Sequence, residues 1–247
     1  MRSRRRLFIW AGATLGLLIV VVGVVVIAFR DRATPLDAGD VAATTVVPGG
    51  TDPGDFGIYL YETAGFETTG ALGGARHEYP VETFLALQPG GCGTLVRWQA
   101  LEQRWTEWEI CDDLGIAGWR SYHEWFGVSN LDEWSCTPPV PLLSETAESW
   151  TARCEKEGTI QELHYEVIGS EQLEVAGEMV DTVHVRSSTV NTGETSGSAT
   201  DDLWLLPGTP LVVQRITDKS SVTGSRIGDV EYHEEYRLRL RSLTPTS

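Results

Sequence analysis

Five histidines (His77, His123, His164, His184 and His233), thirty-five carboxylates, four cysteines and nine tryptophans are the residues of this 247-residue chain that could do chemistry. His164, His184 and His233 fall at the polar positions of alternating segments, which assigns them to solvated strand faces. Were those strands neighbours, the three imidazoles could form a metal or pH-sensing cluster. Carboxylates are so numerous that no pair stands out as general acid and base. The chain has no Gly-x-Ser-x-Gly, His-Glu-x-x-His, phosphate loop or glycine-rich dinucleotide fingerprint. The sequence therefore names no catalytic residue, no metal ligand and no cofactor.

The cysteines are more informative. Neither Cys-x-x-Cys nor a Cys/His cluster at zinc spacing occurs. Four cysteines, all well past the N-terminus, fit two disulfides in an oxidising compartment. Cys92–Trp98 and Trp105–Cys111 read as two strands of a hairpin. With Trp98 facing Trp105, Val96 falls opposite Glu107, Thr94 opposite Glu109 and Cys92 opposite Cys111. That leaves Cys136 to pair with Cys154 across a loop containing Pro138, Pro139 and Pro141.

Six tryptophans crowd into residues 98–134. Core and cross-strand packing is the ordinary role of such residues. The alternative is an aromatic platform for a sugar or an apolar ligand, and Trp98, Trp105, Trp108, Trp119 and Trp125 are the ligand-contact candidates. Glu107, Glu109, Asp112 and Asp113 would supply nearby acceptors.

The elements that position these residues are β throughout. In Val230–Leu240 the residues Val230, Tyr232, Tyr236, Leu238 and Leu240 share one face, interrupted only by Glu234. Leu163, Tyr165 and Val167, and again Val183 and Val185, alternate in the same way. Phe56–Tyr61, Tyr79–Leu87, Leu203–Leu206 and Leu211–Ile216 are further strands, punctuated by Gly, Pro and Asn turns. Short helices could form only around Leu131–Trp134 or Ser144–Trp150. The expected fold is all-β, an antiparallel curved sheet that is a half-barrel or barrel-like. On the last strand Arg237, Arg239 and Arg241 stand in a row, for which Glu162 and Glu166 are the expected counter-charges.

Ahead of this body, residues 1–6 form a basic tail and 7–29 an uncharged apolar run long enough to span a bilayer as a helix. The run exceeds a signal-peptide core and lacks a clear cleavage site, so an uncleaved single-pass anchor is expected. Four arginines precede it, placing the N-terminus in the cytoplasm and the body outside. Gly12 and Gly16 give a Gly-x-x-x-Gly match for helix-mediated homo-oligomerisation. Residues 30–54, rich in Ala, Thr, Gly, Pro and Asp, read as a flexible spacer, and 55–247 as the extracytoplasmic domain. Past residue 32 the chain carries 13 Lys+Arg against 34 Asp+Glu, a net charge of −21. That imbalance excludes nucleic acid as a partner and a peripheral grip on anionic lipid.

The second half resembles bacterial envelope proteins of the LolA-like half-barrel type. Gly177–Val185 resembles their strand rising from a Gly turn. Asp202-Leu203-Trp204-Leu205, Pro207 and Leu211–Arg215 resemble the next hairpin, and Tyr236–Leu243 the closing strand. The resemblance implies an acyl-chain site in a concave sheet plugged by helices, although no amphipathic helix is visible here. The whole chain also resembles single-pass envelope proteins of high-GC Gram-positive bacteria, its seventeen Arg to two Lys fitting that source. Three function classes follow. The first is a non-enzymatic envelope module binding a lipid, glycan or protein partner; the others are a structural or assembly-linked ectodomain and a cell-envelope hydrolase.

Overall fold

A computed structural model describes residues 31–45, 50–144, 147–225 and 228–246. A short helix α1 (Ala38–Thr44) precedes thirteen strands, with one 3-10 turn at Ala71–Gly73. The first strands are β1 (Gly57–Thr69), β2 (Ala75–Glu78), β3 (Glu82–Pro89), β4 (Gly93–Leu101) and β5 (Arg104–Cys111). Then come β6 (Gly115–Trp125), β7 (Val128–Pro141), β8 (Ser149–Lys156) and β9 (Thr159–Val175). The last four are β10 (Glu178–Gly193), β11 (Thr195–Leu205), β12 (Val212–Thr223) and β13 (Val230–Leu240).

Each strand from β3 onward pairs antiparallel with the next, and β13 pairs with β1 from Leu240 opposite Tyr61 to Tyr232 opposite Thr69. The sheet thus closes into a twelve-position antiparallel barrel, with β2 attached to β1 as a thirteenth strand. On its other side β1 pairs first with β3 and then, past a sharp bend, with β2. Gly65 makes that bend: its φ is +150°, and a Cβ there would stand 2.3 Å from the Glu235 carbonyl oxygen. Only glycine fits so close an approach.

The lumen has two ends of opposite character. Around the ends of β1, β4, β12 and β13 nearest the start of β1, the side chains of Tyr59, Tyr61, Leu87, Val96, Trp98, Leu211, Val213 and Leu240 make an apolar core. Toward the far end the inward positions turn polar, with Glu67, Arg104, His123 and Glu234 all buried. The strand alternation of β13 is as expected, and its one exception, Glu234, is the inward residue of this polar end.

Both disulfides form as expected, Cys92 with Cys111 and Cys136 with Cys154, at Cα separations of 4.6 and 4.2 Å. The first hairpin departs by one residue from the expected register: Trp98 lies opposite Thr106 and Gly93 opposite Cys111. A bulge between Gln99 and Leu101 takes up the difference. It sends Trp98 into the core and Trp105 to the outer face, where Trp105 stacks on Tyr122 and lies under Arg97.

Three other expectations change. Leu131–Trp134 is part of β7, because it pairs residue for residue with Trp119–Tyr122 of β6, which gives it a ladder in place of a helix. The described part of residues 30–54 does not behave as a spacer. Asp37 caps α1 through a capping box with Asp40, and Val41, 2% exposed, packs on Ile58, Phe84 and Ala86 of the outer wall. Glu162 and Glu166 do not face the arginine row, since β9 lies between β8 and β10. Arg237 and Arg239 instead donate to Gln214 and to the Glu174 carbonyl, and Arg241 approaches Glu62 at 3.6 Å. Among the described residues no helix is long and apolar enough to cross a membrane. The expected anchor over 7–29 and its Gly-x-x-x-Gly match lie outside the described residues.

Candidate functional site

Glu67 is the hub of the polar end. Its carboxylate is 0% exposed and accepts from His77 Nδ1 (2.9 Å), His123 Nδ1 (2.9 Å) and the Tyr232 hydroxyl (3.0 Å), with Arg104 Nε at 3.6 Å. The protonation of the two histidines follows from their other partners. His77 Nε2 meets Asp31 Oδ2 at 3.0 Å, so both its nitrogens face carboxylates and both must donate. His77 is therefore an imidazolium. His123 ends a chain of hydroxyls that starts at Arg104. Arg104 Nη1 donates to Thr106 Oγ1 (2.6 Å), whose hydroxyl meets Ser121 (3.3 Å), and Ser121 meets His123 Nε2 (3.2 Å). Ser121 can donate to Nε2, and burial beside the Arg104 charge favours the neutral ring of His123.

The pKa directions agree with that assignment. Burial opposes charge on Glu67, but the hydrogen bonds from His123 and His77 prevail and hold its carboxyl well below the usual range. Burial also works against charging His77, and its bond to Glu67, with Asp31 beyond, outweighs it and raises the pKa. For His123 burial, then the Arg104 charge, lower it. Glu234, 2% exposed, accepts from Tyr79 (2.6 Å) and from Arg104 Nε (2.9 Å). Burial opposes its ionisation, while Arg104 and then Lys219 overcome this and lower its pKa.

Beside this network lies a cavity in which the space open to water centres is about 130 Å³. That is room for on the order of ten waters. Trp108 and Trp119, opposite each other on β5 and β6, form part of one wall. Thr106, Ser121, Gln161, Ser187, Thr189 and Asn191 line the middle, and Arg104, Asp201, Arg215, Lys219 and Glu234 bring charge. Arg215 donates to Asp201 from Nε (2.9 Å) and Nη2 (2.7 Å), and Thr217 donates to the same oxygen. Both carboxylates of the lining are thus held by a cation and a hydroxyl. Among the described residues no three His, Cys, Asp or Glu side chains are arranged to hold a metal.

The five candidate tryptophans separate. Trp108 and Trp119 border the cavity, Trp98 is in the core, Trp105 is on the outer wall, and Trp125 stacks on His77 at 3.9 Å. Of the three histidines assigned to polar faces, His164 is exposed, while His184 stacks on Trp204 and bonds Asp202 (2.7 Å) and His233 meets Ser220 (3.0 Å). They form no cluster. The inward charges Glu67, Arg104, His123 and Lys219 were not singled out by sequence. The one available signal was Glu234, the acid that interrupts an apolar strand face.

No protein-family model and no curated protein matches this chain. Among solved structures it is similar to the hypothetical lipoprotein YmcC from Escherichia coli (K12), at 12% identity and a TM-score of 0.35, covering 76% of this chain and 85% of that one. A lipoprotein candidate from Parabacteroides distasonis is similar at 9% identity and a TM-score of 0.31, covering 79% and 99%.

Proposed function

We propose that this chain is an extracytoplasmic binding module of the bacterial cell envelope, held at the membrane by residues 7–29, that takes a small polar molecule into its barrel lumen. The observation that carries the reading is the cavity: a closed barrel with space for about ten waters between two tryptophans and a wall of hydroxyls and amides. A barrel that served only as a wall would gain stability by filling that space with apolar side chains, as its other end does. An acyl chain suits this lining poorly, because it would strand the polar groups without partners. The ion-paired state of Asp201 and Glu234 favours binding over hydrolysis.

The membrane placement is supported by a short connection. Asp31 is tied to His77 and to the Phe126 backbone N–H (3.0 Å) at the polar end of the barrel. Only Arg30 separates it from the apolar run. A helix over 7–29 would therefore hold the polar end of the barrel against the bilayer surface. Native mass spectrometry of the full chain purified from its own membrane tests the binding reading. The wild type should carry a small molecule that an Ala199→Phe variant, with a ring in the cavity, has lost. Equal masses of bound material on both would overturn it, as would a bare wild type.

A further inference from the structure

Lys219 is the cation of the cavity wall that, among the described residues, feels Glu234 and Asp132 through space but has no carboxylate within ion-pair distance. Arg104 is tied to Glu234 and Thr106, and Arg215 to Asp201. Lys219 lies opposite Glu234 on β13 and opposite Ala199 on β11, yet makes no ion pair and no hydrogen bond among the described residues. Its ammonium stands 5.4 Å from the Tyr232 ring. The lining therefore holds Arg104, Arg215 and Lys219 against Asp201 and Glu234, one positive charge in excess within a strongly acidic body.

Two neighbours narrow the class of ligand. Gln161, 8% exposed, donates from Nε2 to Asn191 Oδ1 (2.9 Å) and leaves Oε1 with no donor. A buried acceptor without a donor is costly, and a ligand hydroxyl would supply one. Trp108 and Trp119 offer apolar faces to the C–H groups of a ring.

We infer that the lumen binds a small hydroxylated monoanion of the sugar-acid type, its carboxylate on Lys219 and a hydroxyl on Gln161. This rests on the lumen-binding reading above and adds the charge and the polar groups of its ligand. One excess cation neutralises one carboxylate. A doubly charged phosphate ester would bring its second charge toward Asp201 and Glu234 with no cation left to meet it. Burial makes charge on Lys219 costly in the empty barrel, and a carboxylate seated there offsets that cost.

Titration calorimetry on the full chain in detergent, at neutral pH, tests the inference with glucuronate, glucose and glucose 6-phosphate. Glucuronate should bind at least tenfold more tightly than either of the others. Lys219→Met should weaken glucuronate at least tenfold and leave glucose unchanged. Equal affinity of the variant and the wild type for glucuronate would overturn the inference, while any lumen binding of glucose would leave the broader reading standing. Tighter binding of the phosphate ester would overturn the single-charge assignment. Absence of any binding to the wild type also defeats the inference, and the co-purified ligand then judges the lumen reading by itself. Should Lys219→Met fail to fold, Ala199→Asp places a carboxylate beside Lys219. It should abolish glucuronate binding and spare glucose; unchanged glucuronate affinity would be the contrary result.

Discussion

Glu67 can stay ionised without water only because four donors surround it, and this makes the polar end sensitive to pH in a definite way. Its carboxylate faces His77, His123, Tyr232 and Arg104, and His77 faces Asp31 and the Trp125 ring besides. The raised pKa of His77 gives stability that is complete below its unfolded value of 6.5 and is lost as pH rises through the folded value. His123 acts in the other direction. Its pKa is lowered, so below 6.5 the unfolded chain takes up a proton that the barrel refuses, and stability falls with pH. Glu67, lowered from 4.5, adds a further loss only at more acid pH. Between pH 5 and 8 the melting temperature should therefore pass through a maximum near the unfolded histidine value of 6.5. His77→Gln should flatten the alkaline side of that curve. Scanning calorimetry reads both; a melting temperature climbing steadily from pH 6.5 to 8 would contradict the imidazolium assignment. The sequence concealed this network because His77 and His123 are isolated in the chain, and only the closure of β1 onto its neighbours brings Glu67 between them.

Single elements show where periodicity suffices and where it does not. The alternation in β13 was legible because its inner face is mostly apolar. In β12 the inward residues past Val213 are Arg215, Thr217 and Lys219 while Ile216 faces outward, so hydrophobic alternation points the wrong way. A polar lumen removes the contrast on which such readings depend. The bulge at Ala100 shifted the expected register, yet the Cys92–Cys111 disulfide still formed, since the bond reaches across a one-residue offset at the strand end. The segment preceding the barrel lost its helix to a composition that reads as linker. Seven residues are too few to be helical by propensity, and α1 persists through its cap and the burial of Val41. Covering that side chain contributes about 1.5–2 kcal/mol. Val41→Asp should accordingly detach the segment while the barrel stays folded. Limited proteolysis would then cut within residues 33–45 of the variant and spare the wild type; equal resistance in both would show that the cap and the contacts of Thr34 with Gln103 hold the segment without Val41.

At the scale of the whole molecule, closure decides the architecture and surrounds the candidate site. An all-β curved sheet was legible in the strand and turn pattern, but the pairing of β1 with β13 joins segments at opposite ends of the domain and leaves no local trace. Once closed, the barrel must fill or hydrate its interior. It packs one end with apolar side chains and devotes the other to paired charges, leaving the cavity between them. Trp108 and Trp119, the two sequence candidates that border this cavity, fall there because adjacent strands bring inward positions side by side. Whether this space holds a ligand is read from a high-resolution crystal structure of the full chain isolated from its own membrane. Density for a small organic molecule is expected against Trp108 and Trp119, with an oxyanion about 2.7–2.9 Å from Lys219 Nζ. A lumen containing only water, with Lys219 turned out of it, would contradict ligand binding there.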